Sequence, residues 1–279
     1  MTPPGPGQPR SDTWVLLRGL TREARHWGRF PDVLRTQLPG ARIVAIDLPG
    51  NGELHRQSSP TSVAGMAEHC RAELARRGIE GPVCLLAMSL GAMVATDWAA
   101  SHPQDVECCV LINTSMRPFS PFYQRLGPRH YPAILRLAVL GGTPRRWEET
   151  VLRLTARQPA DPASTLREWV RLREECPVSP RNALRQLVAA ARYTAPGKAP
   201  VPPVFILSGA QDALVDSRCS QRLAAAWQAS LAIHPSAGHD LPLDDAVWVA
   251  TQVGQWRRKL HEGMSAGLSR AAQGNPPGT

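Results

Sequence analysis

Three residue types that together perform nucleophilic catalysis occur in the order Ser89, Asp212, His239. A serine hydroxyl is a poor nucleophile until an imidazole takes its proton. The imidazole in turn needs a carboxylate to orient it and to stabilise its charge. Ser89 lies in Pro82-Val83-Cys84-Leu85-Leu86-Ala87-Met88-Ser89-Leu90-Gly91-Ala92-Met93-Val94, where an apolar run leads into a serine boxed by small residues and then into an alanine-rich segment. That pattern reads as strand, sharp turn and helix. Such a turn exposes the hydroxyl at a helix N-terminus, requires small residues at Ala87 and Gly91, and aims the backbone N–H of Leu90 at the place where an oxyanion would form. The same five residues also fit an ordinary strand-to-helix turn with a capping serine, so the rest of the chain has to decide.

The positioning elements follow from periodicity. Thr13 to Leu17, Ala41 to Ile46, the run before Ser89 and Val106 to Ile112 read as buried strands. Between them, Phe30 to Leu38, Thr61 to Arg77 and the segment from Ser89 to Ser101 read as helices. This alternation predicts a parallel sheet with helices on both faces, in which ligands bind outside the carboxyl ends of the strands. From about Met116 to Pro200 the chain turns arginine-rich and proline-punctuated with no strand-like run, which predicts an all-helical insertion lying over that edge as a lid. The sheet pattern resumes at Val201 to Leu207 and continues with a helix from about Asp216 to Gln228, a strand from Ser230 to His234 and a last helix from about Asp244 to Leu260. Asp212 and His239 each fall just past the end of a strand. Asp216 is a rival for the acid, but Asp212 lies nearer the strand end. Asp240 reads as a local turn former and the insertion's arginines as solvated faces.

The chain of 279 residues, 43% hydrophobic and 20% charged, can bury one large α/β core. The expected organisation is a disordered tail over 1–11, a core over 12–116 and 201–262, a helical cap over 117–200 and a disordered tail over 263–279. No apolar run reaches the ~20 residues of a membrane-spanning helix. Met1 to Arg10 lacks the apolar core of a signal peptide, so the expectation is a cytoplasmic protein. No pair of the six cysteines has C-x-x-C spacing, which argues against a structural metal. The net charge of +9 raises nucleic acid as a partner, but the arginines are dispersed among acidic residues rather than gathered with aromatics, which argues against it.

The order Ser, Asp, His on strand-end loops resembles the α/β-hydrolase fold family across about Thr13 to Leu260, with alanine in place of the first glycine of its nucleophile elbow. Ser208-Gly209-x-x-Asp212-x-x-Val215 and Gly238-His239 are similar to its acid and histidine loops. Leu16-Leu17-Arg18-Gly19-Leu20 is similar to its oxyanion loop, with Arg18 where a histidine is usual, and Asp47 to Gly52 matches the loop before the second helix. The resemblance implies an α/β-hydrolase fold with a mostly parallel sheet, helices on both faces and a helical cap. It implies Ser89 as nucleophile, Asp212 as orienting acid, His239 as general base and then acid, and the backbone N–H groups of Leu20 and Leu90 as oxyanion donors. The activity expected is a cofactor-independent serine hydrolase cleaving a small-molecule carboxylic ester through an acyl-enzyme. A thioesterase or methyl-ester esterase acting on an acidic acyl carrier would use the same residues, and a catalytically silent ligand-binding homologue is the rival from another class.

Overall fold

A computed structural model describes residues 12–130, 132 and 142–273, with side-chain surroundings through 263. The expected tail over 1–11 and the last residues, 274–279, lie outside the described residues. Six strands, β1 (Thr13–Leu17), β2 (Arg42–Ile46), β3 (Val83–Met88), β4 (Val106–Ile112), β5 (Val204–Gly209) and β6 (Ser230–His234), form one sheet in the order β2-β1-β3-β4-β5-β6. Every neighbouring pair is parallel.

Because side chains alternate across a strand, each strand feeds two cores. Val15, Leu17, Leu85, Ala87, Cys109 and Leu111 point to one face, where α2 (Val63–Arg76), α3 (Leu90–Ser101) and the helix Arg218–Trp227 bury Met66, Trp98 and Leu223. Trp14, Leu16, Leu86, Met88, Val110 and Leu207 point to the other face. There α1 (Phe30–Gln37) and the last helix bury Phe30, Leu34, Val249 and Val253. The four central strands β1, β3, β4 and β5 are thus buried on both faces, and this is why they read as continuous apolar runs. Chain order reverses between β1 and β3, so the carboxyl ends of those two strands form the crevice of the sheet.

Between β4 and β5 the described residues form helices Phe122–Arg125, Pro144–Thr155, Pro162–Glu175 and Pro180–Arg192. The three long ones start alike: Thr143, Asp161 and Ser179 cap a helix whose first residue is proline, and each side-chain oxygen accepts the N–H three residues on.

Two boundaries differ from expectation by more than two residues. β5 begins at Val204 rather than Val201, because Pro202 and Pro203 have no N–H for the ladder. The last helix is Ala246–Gln273, so the expected disordered tail is helical as far as Gln273. Met264, Ala266, Leu268, Ala271 and Ala272 are good helix formers, and no proline occurs before Pro276.

Candidate active site

Ser89 occupies the turn between β3 and α3 with φ 54° and ψ −117°, a conformation strained for any residue with a side chain. Neighbouring bonds hold it there. The Ser89 N–H donates to Ile112 O at 2.9 Å, and Ser89 O accepts from the Ala92 N–H and from the Thr114 hydroxyl, both at 3.1 Å. Two glycines make the room. A Cβ at Gly91 would lie 2.6 Å from the carbonyl oxygens of both Leu17 and Arg18, and one at Gly19 would lie 3.1 Å from Ser89 Cβ. Glycine at both positions lets the end of β1 pass directly against the turn.

His239 follows β6 and Asp212 follows β5. His239 Nδ1 and Asp212 Oδ2 are 2.7 Å apart, with both side chains almost fully buried. The other Asp212 oxygen accepts the N–H groups of Leu214 (2.8 Å) and Val215 (2.9 Å), which fixes the carboxylate in a tight turn. The rival Asp216 binds Arg218 instead. A carboxylate on Nδ1 leaves Nε2 as the free face of the ring. No hydrogen bond forms between the Ser89 hydroxyl and His239 among the described residues; such contacts commonly tighten only with substrate in place.

The expected oxyanion donors, Leu20 and Leu90, directly follow Gly19 and Ser89, which approach each other closely. The Leu90 N–H opens α3 and has no intrahelical acceptor. In the loop after β1, the Arg22 N–H closes on Gly19 O at 3.2 Å and the Thr21 N–H donates to Gln186 Oε1 at 2.8 Å, while the Leu20 N–H takes no acceptor among the described residues.

Several residues around this constellation join its loops in ways that sequence reading did not assign. Asn113, buried at the end of β4, donates from Nδ2 to Gly238 O (2.9 Å) and His239 O (2.7 Å), and its Oδ1 accepts the Gly209 N–H (2.8 Å). Gln186, fully buried on the helix Pro180–Arg192, holds Thr21 with its oxygen and Asn51 Oδ1 (2.8 Å) with its nitrogen. Asp244 accepts the N–H groups of Gly238 (2.7 Å), Arg157 (2.9 Å) and Gln158 (2.8 Å), tying the histidine loop to the helical insertion. These partners lie up to 165 residues apart in sequence, so no local pattern announces them.

Two expectations are corrected. Asp240 is not only a turn former: its side chain is buried in a bidentate pair with Arg18. Nor are the arginines of the insertion all solvated faces. Arg173 is largely buried, stacks 4.0 Å from the Trp147 ring centroid and bonds Glu148 at 3.3 Å, while Glu148 also binds Arg22 at 2.6 Å. Burial, and next the Arg22 and Arg18 charges, hold the neighbouring His26 well below its ordinary value of 6.5, so that ring is neutral.

Among the described residues, Asp12, Glu107 and His261 form a group of metal-ligand types, but at the opposite, amino-terminal ends of the strands. Arg257 already binds both carboxylates. All six cysteines are unpaired, and no described helix is long and apolar enough to cross a membrane.

Over 113 residues the chain is 34% identical to the biotin biosynthesis bifunctional protein BioHC of Teredinibacter turnerae. That match covers 40% of this chain and only 19% of the relative. Among solved structures it is similar to a thermophilic esterase of Thermogutta terrifontis, with a TM-score of 0.68, 21% identity and 90% of each chain covered. It is also similar to the enol-lactonase of Burkholderia xenovorans, with a TM-score of 0.71, 16% identity, and 91% of this chain and 94% of that one covered. Residues 14–252 match the model of the alpha/beta hydrolase family, and the chain belongs to that family.

Proposed function

We propose that the protein is a serine hydrolase that cleaves a carboxylic ester through an acyl-enzyme. The observation that carries this reading is the buried Asp212–His239 pair on the two loops beside a serine held at positive φ. Ser89 Oγ attacks the ester carbonyl while His239 Nε2 takes its proton. Asp212 keeps the other ring proton on Nδ1 and stabilises the imidazolium. The N–H groups of Leu20 and Leu90 hold the oxyanion of the tetrahedral intermediate. His239 then returns the proton to the leaving alkoxide, and the same sequence with water as nucleophile releases the acid. The helical insertion acts as the cap over this site, since its Gln186 accepts the Thr21 N–H and its Thr155 O accepts the N–H of Asp240 beside His239.

The net charge of +9 and the partial similarity to a biotin-biosynthesis protein favour a second reading of the same site, in which the acyl group is presented as a thioester or methyl ester on an acidic carrier. The two readings separate by salt. A Michaelis constant that rises with ionic strength for carrier-linked substrates but not for small esters selects the second.

The first test is labelling with a serine-directed fluorophosphonate, read by intact mass. One adduct on wild type and none on Ser89→Ala is expected. Absence of an adduct on folded wild type rejects the hydrolase reading and leaves a ligand-binding homologue.

A further inference from the structure

Arg18 stands at the end of β1, two residues before Leu20, and Asp240 follows His239 directly. Both side chains are 2% exposed, and Arg18 Nη1 and Nη2 reach Asp240 Oδ1 and Oδ2 at 3.1 and 2.5 Å. A bidentate guanidinium–carboxylate pair fixes orientation as well as distance. The Arg18 guanidinium also stacks 4.8 Å from the Trp27 ring centroid, and Nη1 lies 3.6 Å from the sulfur of Met88, the residue before Ser89. From its other side, the Asp240 N–H donates to Thr155 O of the insertion at 2.7 Å. One buried ion pair thus ties together the strand end that starts the oxyanion loop, the serine turn and the histidine loop.

We propose that Asp240 is a positioning residue for His239: its carboxylate clamps the histidine loop to Arg18 and cancels the Arg18 charge that would otherwise act on the catalytic ring. The inference rests on the proposed role of His239, and it concerns a position where this chain departs from the histidine of the pattern it resembles. Arginine does not lose its proton in a protein, so an Arg18 without its partner is a buried, uncompensated cation against the loop that carries the imidazole. The other charged groups packed on this loop are Asp212 at the ring itself, Asp244 under Gly238, and Arg157, whose Nε binds Gln211 O at 3.1 Å. Behind Arg18, His26 is neutral and Arg22 is matched by Glu148. All of these remain when only Asp240 is changed.

The test uses the full chain and follows the His239 ring by NMR titration, with its signals assigned by their loss in His239→Gln. Asp240→Asn is expected to lower the ring's titration midpoint by on the order of one pH unit. The double substitution Arg18→Met with Asp240→Asn is expected to return it to the wild-type position. An unmoved midpoint in folded Asp240→Asn overturns the charge cancellation, and so does a shift that persists in the double variant. Arg18→Lys keeps the charge but not the fork. It is expected to lower kcat at least about tenfold with the midpoint unmoved, and an unchanged kcat overturns the clamp even if Asp240→Asn does not fold. The titration needs no turnover. A wild type that takes no fluorophosphonate would therefore sink the hydrolase reading while leaving the effect of Asp240 on the ring separately measurable.

Discussion

Asn113 offers the sharpest link between stability and the site. Its side chain is 1% exposed and makes three hydrogen bonds, two to the carbonyls flanking and belonging to His239 and one from the end of the strand that leads to Asp212. Its φ of 45° suits glycine and asparagine but not alanine. Asn113→Gly therefore removes the bonds without adding backbone strain, while Asn113→Ala adds about 1 kcal/mol of strain. At about 1 kcal/mol per buried bond, the glycine variant should lose about 3 kcal/mol. For a chain of this size that lowers the Tm by roughly 6–12 °C. The histidine loop loses both of its carbonyl anchors, so kcat on a short-chain ester should fall at least about tenfold with a smaller change in KM. Thermal unfolding followed by circular dichroism and steady-state kinetics on the same preparations measure both. A glycine variant within about 2 °C of wild type and with full kcat would refute the view that Asn113 joins the loops.

Two further outcomes follow from the same geometry. Gly91→Ala would stabilise an ordinary helix, yet here its methyl meets two backbone carbonyls at 2.6 Å. It should destabilise by about 1–3 kcal/mol and slow fluorophosphonate labelling, and a stabilised, fully reactive variant contradicts the close approach. Burial keeps His26 neutral in the folded state, with a pKa below its unfolded value of 6.5. The unfolded chain then binds more protons in acid, so the His26 contribution is complete above about pH 6.5 and is lost as pH falls below it. Denaturation at a series of pH values between 7 and 5 should show a steeper loss for wild type than for His26→Gln; equal slopes count against a neutral buried ring.

The backbone plan was readable because the central strands are buried on both faces and most of the helices on one. Trp14 to Leu17, Cys84 to Met88 and Val106 to Ile112 bury nearly every residue, and such runs are difficult to mistake for loops. Boundaries moved where one residue changes the hydrogen-bond count, as at Pro202 and Pro203. In the insertion proline punctuates the chain at helix starts: Thr143-Pro144, Asp161-Pro162 and Ser179-Pro180 each open a helix. The dipeptide carries that information, because a capping oxygen followed by a residue with no N–H is the local chemistry of a helix N-terminus.

The polar residues that join the loops follow a different rule, set by what the loop backbones offer. Where only N–H groups converge, the structure uses a carboxylate: Asp212 takes Leu214, Val215 and the His239 ring, Asp47 takes Ala24 and Glu53, and Asp244 takes Gly238, Arg157 and Gln158. Where N–H and acceptor groups meet together, it uses an amide. Asn113 faces one N–H and two carbonyls. Asn182 accepts from the Ser59 N–H and donates to Gln57 O, and Gln186 accepts from Thr21 and donates to Asn51. A carboxylate at those mixed positions would set its lone pairs against carbonyl oxygens in a site closed to water, and an apolar residue would leave every partner unsatisfied. The residue type is therefore dictated by the loops it joins. Those loops meet only after the sheet has brought together segments up to 165 residues apart, so the choice can be explained from the fold but not foreseen from the neighbouring sequence.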